Sequence, residues 1–571
     1  MFSLLCVLAL ALPLGVAAQE SEPETVQGAE PDTVLEVAWR EPHRAAVVGI
    51  LKGYYTGLIH RDLTTACRAD RGELCMNGDH EDQRWTSSTP REPEQIAGFV
   101  ERMTEAALDE PGDALGFAQA VYAVARLGSL EEALALAEQC TSVDWWCELV
   151  LGMVQQRAGR PERAERHFRT ALPEADSALA CQLTGIDELL AGADQRAYRG
   201  MSCAGRAGFE RRFWWLADPM LSMPGNDRWA EHVNRRFELI LHERLLWALG
   251  NTHPVSHEEA VVRRGHEDSW NKPAVAPPPG PSGLRRWTSL AAARYRFTPV
   301  SGLGGGMEEL RYELDAGPND EGYTPPGYGP VFEAPAQFAR FRKGGSLFVA
   351  AAAELDDLPL RFASTLFVLS PGPERSPTIL DRSERTGRPT FSTVMDPATA
   401  VVGIETVARD GTTARARSGL VPLAAGGLAL SDALLLAPSG DDLPGDLDEA
   451  VESMLGRTTI KPGEELAVYW EIYGLSFGQP VEITLQLQKD GEGLLTRVLR
   501  TLRVRAAAPA TEVSWTEAVI GGTHPMAVTI DVTGQEEGDY ELKIGVTGPD
   551  GSNATTIRRV QLAVASPGAP Q

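Results

Sequence analysis

Beyond Cys203 the chain has no cysteine, and the six that follow Cys6 all lie between 67 and 203. Whatever the remaining residues build must hold together without disulfides. Positive charge is also scarce: 53 Lys and Arg against 79 Asp and Glu leave a net charge of −26. Recognition of DNA or RNA rests on Lys and Arg neutralising phosphates, so no nucleic-acid partner is expected and the acidity reads as a solubility device. After the N-terminus no apolar run approaches the ~18–20 residues that a bilayer span requires, so no membrane span is expected either. Missing too are the Cys-x₂-Cys spacing usual in zinc sites and the His-Glu-x₂-His of zinc hydrolases.

What is present begins with an uncharged apolar stretch at 2–12 and the small residues Val16-Ala17-Ala18, the pattern of a secretory signal over 1–18 cleaved before Gln19. Residues 19–39, rich in Glu, Pro, Gln and Gly and without periodicity, read as a disordered acidic leader. In an exported chain an even set of cysteines favours disulfides. Many connectivities are open to Cys67, Cys75, Cys140, Cys147, Cys181 and Cys203; neighbours in sequence suggest 67 with 75, 140 with 147 and 181 with 203.

The length of 571 residues suggests about four units at roughly 150 residues each. From 40 to 205 the apolar spacing is helical. Gly128-x₄-Ala133, Gly159-x₄-Ala164 and Gly192-x₄-Ala197 recur at close to the spacing of a tetratricopeptide repeat. In the middle copy Leu151, Gly152, Gly159, Ala164, Phe168 and Ala171 fall where paired helices need small or groove-filling residues. A generic helical array is the alternative. Residues 206–272 read as helix, turn, helix. Asp218-Pro219 stops the first because a residue before proline is pushed out of the α region, and the Pro-Gly-Asn-Asp turn at 224–227 caps the second.

A proline-rich linker over 273–285 marks the clearest boundary, and beyond it the period becomes two. Strands are expected at 337–354, 358–369, 400–409 and 428–437 in one antiparallel β-sandwich over 286–445. A C-terminal immunoglobulin-like sandwich over 446–566 takes those at 465–473, 481–488, 495–504, 527–532, 540–546 and 556–564, with a tail at 567–571. Tyr540 stands where a tyrosine hydroxyl pins a corner in immunoglobulin-like and fibronectin-like modules. The fold class is therefore multidomain α + β: an N-terminal α-helical, tetratricopeptide-like region followed by two antiparallel β-sandwich modules.

The segment 209–237 sets Phe213, Trp214, Trp215 and Trp229 around Asp218-Pro219 and Asn226, with His232 beyond. It resembles the core of the bacterial secreted GWxTD-domain proteins, multidomain proteins of generally unassigned activity. The likeness continues loosely through the stretches at 259–265, 338–346, 430–436 and 468–474. The eponymous Gly-Trp-x-Thr-Asp is absent; Leu249-Gly250-Asn251-Thr252-His253 stands in its place, and Arg264 replaces an aromatic before Gly265. The resemblance implies an interaction or scaffold role for these motif residues and names no reaction.

Other constellations are weak. His253 and His257 stand four apart, but Pro254 and the Ser256 cap keep His253 out of the helix that would align them, so neither metal nor cofactor is expected. Ser269-x₂-Lys272 lies beside the linker, and Gly200-Met-Ser202-Cys203 lacks the second glycine of a nucleophile elbow. Gly302-Leu-Gly-Gly-Gly306 sits among hairpin signals, where a loop needs no phosphate. The tryptophans read as core between two helices, with an aromatic ligand platform as the alternative. The expected function is a secreted or periplasmic scaffold that binds protein or peptide through helical repeats. The competing class is a cell-envelope hydrolase acting on peptide or glycan near residues 209–270, which would require buried, pKa-shifted groups converging there.

Overall fold

The computed structural model describes residues 93–248 and, apart from 361–362, 385–386, 438–442, 462–463, 490–510 and 533–534, residues 330–563. Elsewhere it describes short stretches, among them strands at 65–77 and 270–313. In chain order the front part comprises β1 (Thr65–Arg68), β2 (Glu73–Asn77), α1 (Pro93–Asp109), α2 (Ala114–Leu127), α3 (Leu130–Ala137), α4 (Asp144–Arg157), α5 (Pro161–Ala171), α6 (Ser177–Thr184), α7 (Gly192–Arg199), α8 (Cys203–Ala217) and α9 (Asp227–Ala248). The signal peptide, leader, His253, His257 and the linker prolines lie outside the described residues.

Local chemistry explains the helix starts. Ser129 and Glu132 close a reciprocal capping box at α3, Pro161 occupies the first turn of α5, and the Asp113, Asp176 and Ser202 side chains accept backbone N–H groups at α2, α6 and α8. Gly159 turns α4 into α5 at φ 69°, a left-handed conformation that favours glycine. Gly152 lets the two helices close: a Cβ there would lie 2.4 Å from the Phe168 ring. Phe117, Trp146, Phe168, Phe213 and Phe237 are fully buried in one core, where the Trp146 indole donates to the Ala114 carbonyl at 2.6 Å.

Cys140–Cys147 and Cys181–Cys203 are disulfides, with Cα atoms 5.7 and 5.8 Å apart. Cys67 and Cys75 lie on the paired strands β1 and β2; their side chains lie outside the described residues.

Two expectations fail in the front part. The third repeat copy does not pack as the others do, because Ala197 is exposed and α7 buries only Tyr198. The hairpin β1–β2 falls inside the stretch read as helical, and β3 (Trp270–Asn271) and β4 (Leu284–Ser289) fall inside the helical segment and across the end of the linker. These four strands form one sheet in the order β1-β2-β4-β3. Pairing between strands so distant in sequence leaves no local periodicity to read.

The rest of the chain is β-rich: β5 (Thr298–Pro299), β6 (Tyr312–Glu313), β7 (Val331–Glu333), β8 (Ala336–Lys343), β9 (Ser346–Ala353), β10 (Ser364–Ser370), β11 (Thr378–Ser383), β12 (Thr390–Met395), β13 (Ala400–Val407), β14 (Thr413–Leu420), β15 (Ala429–Leu430) and β16 (Leu434–Leu436). The short helix α10 (Leu447–Glu452) leads to β17 (Thr459–Ile460), β18 (Leu466–Tyr473), β19 (Pro480–Lys489), β20 (Thr511–Ala518), β21 (Thr523–Ile530), β22 (Gly538–Thr547) and β23 (Asn553–Leu562).

Period-two alternation sorts these strands into stacked layers, because successive side chains point to opposite faces. The sheet β11-β10-β13-β14-β7 turns Leu366, Val368 and Val401 to the helices, and Phe367, Val402, Ile404 and Ala414 to the sheet β12-β9-β8. Strand β9 is buried on both faces: Leu347, Val349 and Ala351 enter that first sandwich, whereas Phe348, Ala350 and Ala352 meet Leu434, Ala467 and Tyr469 of the next sheet. Strand β18 does the same, sending Val468, Trp470 and Ile472 toward the sheet β17-β23-β22-β19-β20. The helices thus cap two β-sandwiches laid face to face. In the second, the Tyr540 hydroxyl donates to the Glu536 carbonyl at 2.6 Å, four residues upstream.

The boundary read at 445 and 446 is corrected. Strands β15 and β16, with Leu434 opposite Tyr469, belong to the sheet of β18 and hence to the second sandwich.

Candidate functional site

The tryptophan segment folds as its residues dictate. Helix α8 stops at Asp218, whose carboxylate accepts the Met220 N–H at 3.1 Å, and Asn226 caps α9 by accepting the Trp229 N–H at 2.9 Å. The Asn226 amide also donates to the Trp214 carbonyl at 2.7 Å, closing the loop on itself. Phe213, Trp214 and Trp229 are buried among the helices, with Phe168 edge-on to Trp229 and Arg169 over its indole at 4.5 Å. That is the core reading, not an aromatic platform. Trp215 is half-buried and turns the other way, donating its indole N–H to the Ser370 hydroxyl on β10 at 2.7 Å.

The loop after Asp218 sits against the helix-facing side of the first sheet. On that face Glu405 stands opposite Arg415, and Gly403 opposite Arg417. The Glu405 carboxylate accepts the Leu221 and Ser222 N–H groups, each at 2.8 Å, and pairs with Arg417 at 3.0 Å. Arg415 donates to the Pro219 carbonyl at 2.8 Å and to that of Asp218; Arg417 reaches the Leu216 and Pro219 carbonyls at 3.3 and 3.2 Å. A helix end and a turn expose backbone groups that must be satisfied, and two arginines and a glutamate on one sheet face supply the partners. Pro219 belongs to this clamp through its carbonyl.

The buried charges shift accordingly. Burial holds the Asp218 carboxyl well above the usual carboxylate range against the opposing pull of Arg417, with Asp227 and Glu405 adding to the rise. His232 lies fully buried at 4.8 Å from the Trp214 ring, its Nε2 donating to the Gly185 carbonyl at 2.8 Å. Burial, then the Arg236 guanidinium, pushes its pKa well below the ordinary value, so it is neutral. Glu210 accepts the Tyr198 hydroxyl at 2.5 Å, and burial raises its carboxyl.

Three of the more remote stretches that carry the family resemblance, at 338–346, 430–436 and 468–474, also converge. Arg340 on β8 pairs bidentately with Asp432 at 2.8 and 2.9 Å, and the Arg342 N–H donates to the Tyr473 hydroxyl at 2.9 Å. Tyr469 and Tyr473 both donate to the Glu471 carboxylate, at 3.0 and 2.7 Å, and burial raises its pKa. Val261 and Val262 join the helical core, and Arg235 donates to the Val262 carbonyl at 3.2 Å. These motifs lie where layers meet.

Sequence reasoning missed Glu405, Arg415, Arg417 and Ser370. A signal existed: a charge at every second position of an otherwise apolar strand, as in the Ala-Arg-Ala-Arg run at 414–417, means that one face meets a polar partner. Ser202 caps α8 and Cys203 is oxidised, so neither forms an elbow. Among the described residues there is no group of three or more His, Cys, Asp or Glu placed to hold a metal ion, and no helix long and apolar enough to cross a membrane.

No family model and no curated protein matches the chain. Among solved structures, the one described as "Structural basis of neurohormone perception by the receptor tyrosine kinase Torso" is similar at 10% identity over 40% of this chain and 73% of that one. Its TM-score of 0.12 carries no argument.

Proposed function

We propose that the protein is an exported interaction scaffold, a divergent relative of the GWxTD-type proteins, in which helices recognise a protein or peptide partner and the stacked sandwiches hold them rigidly. One observation carries this reading: the residues of the tryptophan segment and the charges facing it are committed to tying helices to sheet. Glu405 meets two backbone N–H groups, Arg415 and Arg417 meet the Leu216, Asp218 and Pro219 carbonyls, and Trp214 and Trp229 are core. Two disulfides fit an oxidising compartment, and the signal-like N-terminus suggests the cell envelope.

The hydrolase reading would draw on Asp218, a carboxyl whose pKa burial raises, as a general acid's must be. The two separate experimentally. The purified mature chain is incubated with peptidoglycan and with casein, and soluble products are followed by mass spectrometry. The scaffold reading expects no turnover; hydrolysis abolished by Asp218→Asn in a variant that keeps its melting transition would overturn it.

A further inference from the structure

The helical layer carries a polar cleft in which Arg163, Arg166 and the Gln155 oxygen are not committed to the fold. It lies between α4 and α5, about 460 Å³ and open to solvent, lined by Glu148, Gln155, Arg163, Arg166, His167 and Thr170. Glu148 and Gln155 are seven residues apart on α4, and Arg163, Arg166, His167 and Thr170 follow one stripe of α5, so each set shares a helix face. His167 Nδ1 and Glu148 hold each other at 2.7 Å across the cleft. Arg163 and Arg166 are exposed, and among the described residues neither guanidinium has a hydrogen bond or ion pair. Gln155 is only 6% exposed, yet its Oε1 has no hydrogen-bond partner. Leaving a buried carbonyl oxygen unpaired costs about 1–3 kcal/mol, which a ligand able to donate a hydrogen bond there would recover.

We propose that this cleft binds an acidic, extended peptide segment of a partner protein, an inference that rests on the scaffold reading and gives it a ligand class. Two uncommitted arginines in a chain of net charge −26 select carboxylates. A free carboxylate offers only acceptors and would leave Gln155 Oε1 unpaired, whereas a peptide brings N–H donors with its acids. The span from Arg163 to Thr170 is about 10 Å at ~1.5 Å per helical residue, the length of about three residues of extended chain. Glu148, on the far wall beside His167, rejects a second acidic group there and so sets the direction in which charge is read.

Fluorescence anisotropy of labelled hexaglutamate with the full mature chain tests this, with hexalysine as the control probe. Hexaglutamate binds and salt weakens it; hexalysine does not bind. The Arg163→Glu/Arg166→Glu double variant, altered only at exposed positions, keeps the melting transition and loses affinity by roughly tenfold or more, about 1.4 kcal/mol. Gln155→Met, close in volume, weakens binding severalfold, an effect that surface charge alone would not produce. Absence of hexaglutamate binding, equal binding by the double variant, or an affinity unmoved in Gln155→Met each overturns the proposal. So does displacement by inorganic phosphate as readily as by unlabelled hexaglutamate, which would mark a free-anion site. None of these outcomes touches the scaffold reading, which fails only on Asp218-dependent turnover.

Discussion

The seam between the α8–α9 loop and the first sheet, and the cleft between α4 and α5, are built from the same residue types with opposite consequences. Both set arginines near a carboxylate. At the seam the Glu405 and Arg417 side chains are almost wholly buried and bond to backbone groups across the seam and to each other, so the cluster joins two layers. In the cleft Arg163 and Arg166 face solvent while the one buried amide, Gln155, has an oxygen without a donor. Charge identity therefore says little about function. What decides is whether backbone groups exposed by a helix end lie within reach to absorb the side chains.

If that comparison is right, damage at the seam should cost fold and not binding. The largest effect is expected for Glu405→Ala, which leaves the buried Arg417 guanidinium without its carboxylate and strands the Leu221 and Ser222 N–H groups in the interior. Removing one partner of a buried pair costs about 3–5 kcal/mol, read from urea unfolding; a loss under about 1 kcal/mol would show the layers to be joined by apolar contact alone. Next comes Trp229→Ala, which empties a core site beside Phe168 and should cost about 3 kcal/mol. An unshifted melting transition there would return the indole to the role of a ligand platform.

The smallest and most diagnostic effects are in pH. Asp218 has a folded pKa raised above its unfolded value of about 3.9, so the native state holds the extra proton and stability falls as pH rises from there through the folded pKa. Asp218→Asn keeps the acceptor for the Met220 N–H and should flatten that decline, gaining on the wild type as pH increases. His232 works in the other direction. Its folded pKa lies well below the unfolded value of about 6.5, so the unfolded chain takes the proton and stability falls as pH drops below that value. His232→Gln should blunt the acid limb only. Urea midpoints across the pH range measure both, and parallel curves for either variant and the wild type would remove that residue from the pH response.

Much of the architecture was legible because its causes are local. Asp218-Pro219 ends a helix and Asn226 starts one for reasons contained in four or five residues, and β19, β22 and β23 announce themselves by alternation. Gly152 and Phe168 were readable as a small residue and the ring that fills against it. The failures share one physical origin, a partner far away in sequence. Glu405 makes sense only once Leu221 and Ser222 lie beside it, and β16 joins the second sandwich only because β18 follows the turn-rich stretch that looked like a boundary. Strands β11, β12, β14 and β20 were also passed over. β11 is largely exposed, with little apolar content on either face, and in β14 the apolar residues beside the arginines are only Ala414 and Ala416.

The sheet β1-β2-β4-β3 joins a hairpin that precedes the helices to strands that follow them, with Cys75 opposite Arg286. A chain delivered N-terminus first presents the open edge of β2 long before β4 arrives, and an unpaired edge is a template for pairing with another chain. The earliest strands of the chain thus wait for partners made only after the whole helical layer. The whole helical layer must be made before this clasp can shut, so how long the edge of β2 stays exposed to misassembly is set by residues 284–289, at the far end of the segment they close.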